Sequence, residues 1–261
     1  MGTLTGTGFA AACGLAATLA LAIATWVASL VKRDVSIVDS MWSVLIVAAG
    51  IAYVTILPQA SARTMVALVL AVLWALRLSI YITWRNWGEA EDHRYQAIRR
   101  RNDPGFAIKS IYLVFALQAV LAWIVSMSLL VTAASPRPMD WMDAPGIVLV
   151  LFGLVFEAIG DQQLARFKSD PANRGHVMDR GLWRFTRHPN YFGEFCVWWG
   201  FYLLAASAGG RGAIVSPLLM SVLLLKVSGV GLLEKDIGER RPAYRDYIAR
   251  TNAFFPGPPK T

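Results

Sequence analysis

The chain has 261 residues, of which 56% are hydrophobic and 16% charged, with a formal net charge of +8. That is too little charge to cover a soluble domain of this size. The pI near 9.8 would suggest nucleic acid in a soluble protein, but here it follows from where the basic residues fall. Cys13 and Cys196 lie in separate apolar blocks, and His93, His176 and His188 are scattered, so neither disulfides nor a metal site are expected.

Seven apolar blocks run along the chain, each close to the roughly 20 residues a helix needs to cross hydrocarbon. They lie near 8–31, 36–57, 64–84, 110–134, 144–165, 190–208 and 213–233. The first is too long, and lacks the basic leader and cleavage site, for a signal peptide; it reads as a retained span. The fold class expected is all-α integral membrane, seven transmembrane helices in a single domain over 1–261, without internal repeat or broken helices.

Lys and Arg orient these spans. Six lie in 85–109, six in 166–189 and six from Lys235 onward, while Lys32 and Arg33 fill the first short connection. The alternate connections hold only Arg63, Arg137 and Arg211. The basic side is expected to be cytoplasmic, which puts the amino terminus outside and the carboxyl terminus inside.

Ionisable residues within a bilayer are costly and point to function. Asp39 lies one turn into the second block, Arg77 and Tyr81 in the third, Glu157 and Asp161 in the fifth, Asn190, Tyr191 and Glu194 at the start of the sixth, and Lys226 in the seventh. Arg77 with Tyr81, Glu157 with Asp161, and Asn190 with Glu194 are each four apart, so each pair shares a helix face. Most fall in the cytoplasmic half, which predicts a polar cavity open to the cytoplasm. Structural pairing of Arg77 with Asp39 or Asp161 is the competing reading.

Beside this cavity stand Arg166, Lys168, Arg174, Arg180, Arg184 and Arg187, with Arg240, Arg241 and Arg245 after the last block. Arginine forks match phosphate oxygens, and lysine adds point charge. Trp183, Tyr191, Tyr244 and Tyr247 offer rings to stack on, and Asn190 offers an amide for another amide. A dinucleotide has phosphates, an adenine and a carboxamide to match, although the glycine-rich fingerprint of the soluble dinucleotide fold is absent from the sequence.

The stretch Leu182-Trp183-Arg184-Phe185-Thr186-Arg187-His188-Pro189-Asn190-Tyr191-Phe192-Gly193-Glu194 resembles the signature of the membrane steroid 5α-reductases and their bacterial relatives. So does the end, from Leu233-Glu234-Lys235 through Arg240-Arg241-Pro242-Ala243-Tyr244-Arg245-Asp246-Tyr247 to Phe254-Phe255-Pro256. Val35 to Trp42 and Leu76 to Gly88 resemble the bacterial branch. The Arg-His-Pro-x-Tyr core is shared with isoprenylcysteine methyltransferases and with sterol C14- and C7-reductases; the continuation to Gly193 and Glu194, with Asp161 upstream, favours the reductases.

The resemblance implies a seven-helix fold with NADPH held by the cytoplasmic half of the later helices. Asn190 would meet the nicotinamide carboxamide, with Tyr191 and Glu194 lining the same pocket. Asp161, Arg166, Lys168, Trp183, Glu234, Arg241, Tyr244 and Tyr247 would hold phosphates, ribose and adenine, and Arg77 and Arg184 join the cofactor set by charge. His188 is read as support for the helix entry. Asp39 matches the family's catalytic acid on the second span. The family's third-span Tyr aligns with Trp74, so Tyr81, further along the same face, is our own inference for the second acid.

The expected reaction is reduction of the C=C bond of an enone, taken as the 4,5 double bond of a 3-oxo-Δ4-steroid, with a neutral Asp39 or Tyr81 polarising the ketone. The substrate would enter from the bilayer, and the protein would be a monomer of a bacterial inner membrane, binding lipid and no nucleic acid. Two alternatives stay open: an S-adenosylmethionine-dependent isoprenylcysteine carboxyl methyltransferase, and a non-enzymatic sterol- or lipid-binding membrane protein.

Overall fold

The computed structural model describes residues 2–58, 61–227, 229–234, 237 and 242–260, and every regular element among them is a helix. The helices form two compact units, Met1–Asp143 with Leu204–Ser216, and Ala144–Leu203 with Pro217–Thr261.

In the first unit α1 (Gly2–Lys32), α2 (Ile37–Ile56) and α3 (Ala62–Arg85) are continuous apolar helices. Ser61 caps α3 by accepting from the Thr64 N–H at 3.2 Å. A short polar helix, α4 (His93–Asn102), follows, capped by Asp92, whose carboxylate accepts from the Arg94 N–H at 2.8 Å. The fourth apolar block is built of α5 (Phe106–Ser110), a π-helical stretch Ile111–Ala116, α6 (Leu117–Val125) and α7 (Met127–Ala134). It breaks at Ser126, where the Tyr53 hydroxyl lies 2.7 Å from the Ser126 hydroxyl and the Ser216 hydroxyl donates to the Val125 carbonyl. Ser216 thus occupies a backbone carbonyl at the break, and Tyr53 engages the Ser126 side chain there. α2 packs on α1 and α3, and α6 on α1 and α2.

An ion pair anchors this unit at the start of α3. Arg63 Nε and Nη2 donate to Asp143 Oδ1 and Oδ2 at 2.6 and 2.9 Å, and Nη1 and Nη2 donate to the carbonyls of Arg137 and Pro138 at 2.9 Å each. Asp143 also accepts from the Asp140 N–H at 2.9 Å and from the Ser207 hydroxyl at 2.5 Å. Both side chains are essentially sealed from solvent, at 1% and 0% exposure.

The second unit is organised by α8 (Ala144–Ser169) and α9 (Pro189–Ser207). Gly146, Gly153 and Gly160 recur every seven residues on α8, and Gly193 and Gly200 do so on α9. A Cβ on Gly153 would lie 2.5 Å from the Gly193 carbonyl, and one on Gly200 would lie 2.8 Å from the Gly146 carbonyl. The helices therefore touch backbone to backbone, as small-residue seams allow where water cannot drive packing.

Beyond α9 the last apolar block is split into α10 (Val215–Val222), a π-helical stretch Leu223–Val227 and α11 (Val230–Glu234). At Gly229 the backbone turns back so tightly that a Cβ would lie 1.8 Å from the Leu224 carbonyl. A final helix, α12 (Tyr244–Arg250), precedes an extended tail.

Among the described residues five helical stretches are long and apolar enough to cross a membrane: Gly6–Lys32, Ile37–Ile56, Ala62–Arg85, Phe106–Val125 and Trp141–Ser169. The chain is an integral membrane protein with several apolar helices. The sixth and seventh blocks of the sequence are helical but outside this set. α9 mixes Asn190, Glu194 and many aromatic residues with its aliphatic ones, and the seventh is cut into short pieces. The expectation of unbroken helices is corrected at Ser126, at both π-helical stretches and at Gly229.

Candidate functional site

In the first unit Asp39 stands in the first turn of α2 and meets α4. Arg94 Nη2 donates to Asp39 Oδ2 at 2.7 Å, and the Tyr95 hydroxyl donates to Asp39 Oδ1 at 2.5 Å. Gln118 Nε2, from α6, donates to the Tyr95 oxygen at 3.0 Å. Arg94 Nε also donates to Asp92 at 3.0 Å. Beside this cluster Glu91 accepts from the Val35 N–H at 2.9 Å and from Arg99 Nη2 at 2.7 Å, tying α4 to the entry of α2.

The charges are mutually consistent. Burial alone would raise the Glu91 and Asp92 carboxyls, but hydrogen bonds from Arg99 and the Val35 amide, and from Arg94, outweigh it and hold both below the usual carboxylate range. Burial, reinforced by the Asp39 charge, pushes the Tyr95 phenol well above its ordinary value. Tyr95 therefore keeps its proton at physiological pH.

The groups on Asp39 are thus Arg94 and Tyr95, not Arg77, the structural partner that the competing reading offered. Tyr81 is half-buried, its ring 6.1 Å from that of Trp84 and 5.9 Å from the Arg85 guanidinium. Arg77 is half-buried on α3, and Trp74 is fully buried in the core. Hydropathy read 85–109 as a basic loop, which hid α4; the Asp92 cap ahead of His93–Asn102 was the available signal.

In the second unit the polar residues of α8 and α9 lie along the glycine seam. Glu157, Asp161 and Glu194 are buried, and Asn190 and Tyr191 are half-buried. Gly160, next to Asp161, sits against the α9 entry: its Cβ would lie 3.3 Å from the Asn190 nitrogen. A Cβ on Gly193 would lie 2.7 Å from that of Glu157. The sequence-predicted set Asp161, Asn190, Tyr191 and Glu194 is therefore gathered around one helix crossing.

The segment before α9 is strapped down. Trp183 Nε1 donates to the Gly160 carbonyl at 3.0 Å, and the Tyr247 hydroxyl donates to the Trp183 carbonyl. The Arg187 N–H donates to the Asn252 carbonyl at 2.9 Å, and the Arg187 guanidinium reaches the carbonyls of Ile248 and Thr251. Arg187 Nε and Nη2 pair with Glu234 at 2.7 Å each, and His188 Nε2 lies 2.9 Å from Glu234 Oε1. The His188 ring stacks on Tyr191, with centroids 5.5 Å apart. Phe192 and Phe195 of α9 pack their rings on Phe254 and Phe255 of the tail. Arg187, read as a phosphate ligand, is instead the clamp of this strap, and the polar atoms of Trp183, Glu234 and Tyr247 are engaged in building it. His188 supports the helix entry by carrying Tyr191 and meeting Glu234.

Burial would raise the Glu234 carboxyl, but Arg187 and His188 overcome this and bring it from 4.5 down to about 2. A depressed carboxyl stabilises the fold above its unfolded value and loses that contribution as pH falls through its folded value. Acidification from pH 4.5 toward 2 is therefore expected to cost on the order of 3 kcal/mol at this site. Thermal unfolding of Glu234→Gln should lack the corresponding fraction of the wild-type pH dependence.

The surface charges form a cleft of about 440 Å³ lined by Asp179, Arg180, Gly181, Arg184, Arg250, Thr251 and Pro259. Arg250 Nη2 pairs with Asp179 at 2.5 Å. Arg184 was expected here; Arg250 and Asp179 were not singled out in the sequence. Arg166 and Lys168 are exposed at the end of α8. Tyr244 is half-buried on α12, its ring edge-on to Tyr247 at 5.1 Å. Lys235, Arg240 and Arg241 lie outside the described residues. No group of three or more potential metal ligands occurs among the described residues.

No solved structure matches the chain. The chain is similar to the uncharacterized protein C594.04c of Schizosaccharomyces pombe, with 27% identity over 93% of this chain and 78% of that protein. A family model described as a protein of unknown function, DUF1295, matches residues 25–251, and the chain belongs to that family.

Proposed function

We propose that the protein is an NADPH-dependent membrane oxidoreductase that reduces the C=C bond of a conjugated enone, with the 4,5 double bond of 3-oxo-Δ4-steroids as the substrate class. The observation that carries the reading is the contact of Asp39 with Tyr95 at the entry of a membrane helix. It joins a phenol that keeps its proton to a carboxylate that orients it. The resemblance of residues 182–194 and 233–256 to the steroid 5α-reductases supports the same reaction.

The second unit fits the cofactor. Arg180, Arg184 and Arg250 around one cleft suit phosphate oxygens, and Arg166 and Lys168 add exposed positive charge. Asn190 and Tyr191 would meet the carboxamide and ring, with Asp161 and Glu194 beside them and Tyr244 on the outer wall. Trp183, Glu234 and Tyr247 would act by holding that wall in shape. NADPH, when bound, supplies the hydride that the β-carbon accepts.

The remaining chemistry falls to side chains. As the hydride arrives, negative charge grows on the ketone oxygen. A positioned hydroxyl stabilises charge that appears only in the transition state. Asp39 accepts on both oxygens, one from a guanidinium, so it has no proton to give in this arrangement; Tyr95 takes the role first assigned to Asp39 or Tyr81. Asp39 and Arg94 hold Tyr95 at rest; its one proton leaves Asp39 and turns to the ketone oxygen as charge grows there, and returns to Asp39 after each turnover. The α-carbon takes its proton from solvent.

The protein is read with seven crossings, the amino terminus outside and the carboxyl terminus cytoplasmic, because Lys and Arg crowd alternate connections of the sequence. It is proposed as a monomer in a bacterial inner membrane, with the apolar enone entering from lipid. In proteoliposomes the protein should consume NADPH only when a 3-oxo-Δ4-steroid or a simpler enone is present. NADPH consumption unaffected by enone, or absent altogether, would reject the reading.

A further inference from the structure

Hydrogen-bond directions around Tyr95 leave one arrangement. Asp39 faces the Arg94 guanidinium and accepts on both oxygens. The phenol has a single proton, which goes to Asp39, so the phenol oxygen can only accept from its other neighbour. That neighbour is the Gln118 amide, 3.0 Å away, which must present its NH2 group. Gln118 stands on α6 directly after the π-helical stretch Ile111–Ala116. A widened turn of this kind shifts the helical register of the residues after it, and such turns cluster at functional sites. Here it sets the face that Gln118 occupies.

We propose that Gln118 is the positioning residue for Tyr95: its amide N–H holds the phenol oxygen in place while the phenol proton, directed to Asp39 at rest, turns to the ketone oxygen. The role rests on the functional reading above, in which Tyr95 polarises the ketone. It assigns to the neutral α6 side chain what the charged groups of α2 and α4 cannot do. Asp39 and Arg94 fix where the phenol proton goes, but neither restrains the opposite side of the phenol oxygen.

Gln118→Met keeps the length of the side chain and removes the donor. It is expected to lower kcat for enone reduction roughly tenfold, the worth of one hydrogen bond, with the KM for NADPH unchanged. Gln118→His, which restores an N–H donor, should recover most of the loss. A second readout needs no turnover. The C–O stretch of the Tyr95 phenol, isolated as the infrared difference between wild type and Tyr95→Phe in tyrosine-labelled protein, should move to higher frequency in Gln118→Met, because the oxygen then only donates. Gln118→Leu gives the same readout if the methionine variant does not accumulate folded.

An unmoved band, or an increase in KM for NADPH matching the fall in kcat, overturns the proposal. Wild-type protein that turns over no enone rejects the functional reading instead, and the infrared band then decides the Gln118 contact by itself.

Discussion

Tyr95→Phe is expected to cut enone turnover by roughly 10²- to 10³-fold, the usual cost of removing one donor from a developing oxyanion. NADPH binding should hold. The phenol is buried in the first unit against Asp39 and Gln118, whereas the residues proposed above to meet the cofactor belong to α8, α9, α12 and the segment before α9. Asp39→Asn should follow in the same direction, since an amide can donate to the phenol oxygen and misdirect its proton. Steady-state kinetics with a separate measurement of NADPH affinity checks the pair. Equal losses in turnover and in NADPH affinity would remove the Asp39 cluster from the chemistry.

Arg63→Met is expected to be the most destabilising single change, at about 3–5 kcal/mol. Asp143 is fully buried and would be left without its cation. The bidentate pair is surrounded by further bonds from the Asp140 amide and the Ser207 hydroxyl to the carboxylate, and from Arg63 to two carbonyls. Asp143→Leu alone should cost a similar amount by stranding Arg63. The double variant should recover much of the loss, because an apolar pair of matched volume has no charge to strand. Thermal unfolding in detergent measures all three, and additive losses in the double variant would show that the two residues do not act as a pair.

Much of the architecture is legible in the chain because hydrocarbon imposes a simple rule: every long apolar helix must be roughly 20 residues. The first five blocks appear as long helices for that reason. Gly160 and Gly193 serve close packing of α8 on α9. The break at Ser126 is not legible, because it depends on Tyr53 and Ser216, far away in sequence.

The candidate site divides in the same way. Asn190, Tyr191 and Glu194 are close together on α9, so spacing alone gathers them, and the glycine seam brings Asp161 of α8 to them. Asp39 finds its partners 55 and 56 residues later, on a helix too polar for hydropathy to reveal. Arg187 looks like a phosphate ligand by charge, yet Glu234, 47 residues on, claims it. A charge count cannot tell a free guanidinium from a committed one; only the fold brings the second carboxylate into view.

The most direct test of the central claim follows the hydride. Purified protein in proteoliposomes is given a 3-oxo-Δ4-steroid and NADPH carrying deuterium at the transferable C4 position, and the product is analysed by mass spectrometry and NMR. One deuterium should appear at the steroid C5, the β-carbon, with the hydrogen at C4 drawn from water, and Tyr95→Phe should suppress the product. Product lacking deuterium at C5, or no reduced steroid while wild-type protein remains folded and binds NADPH, would contradict the account.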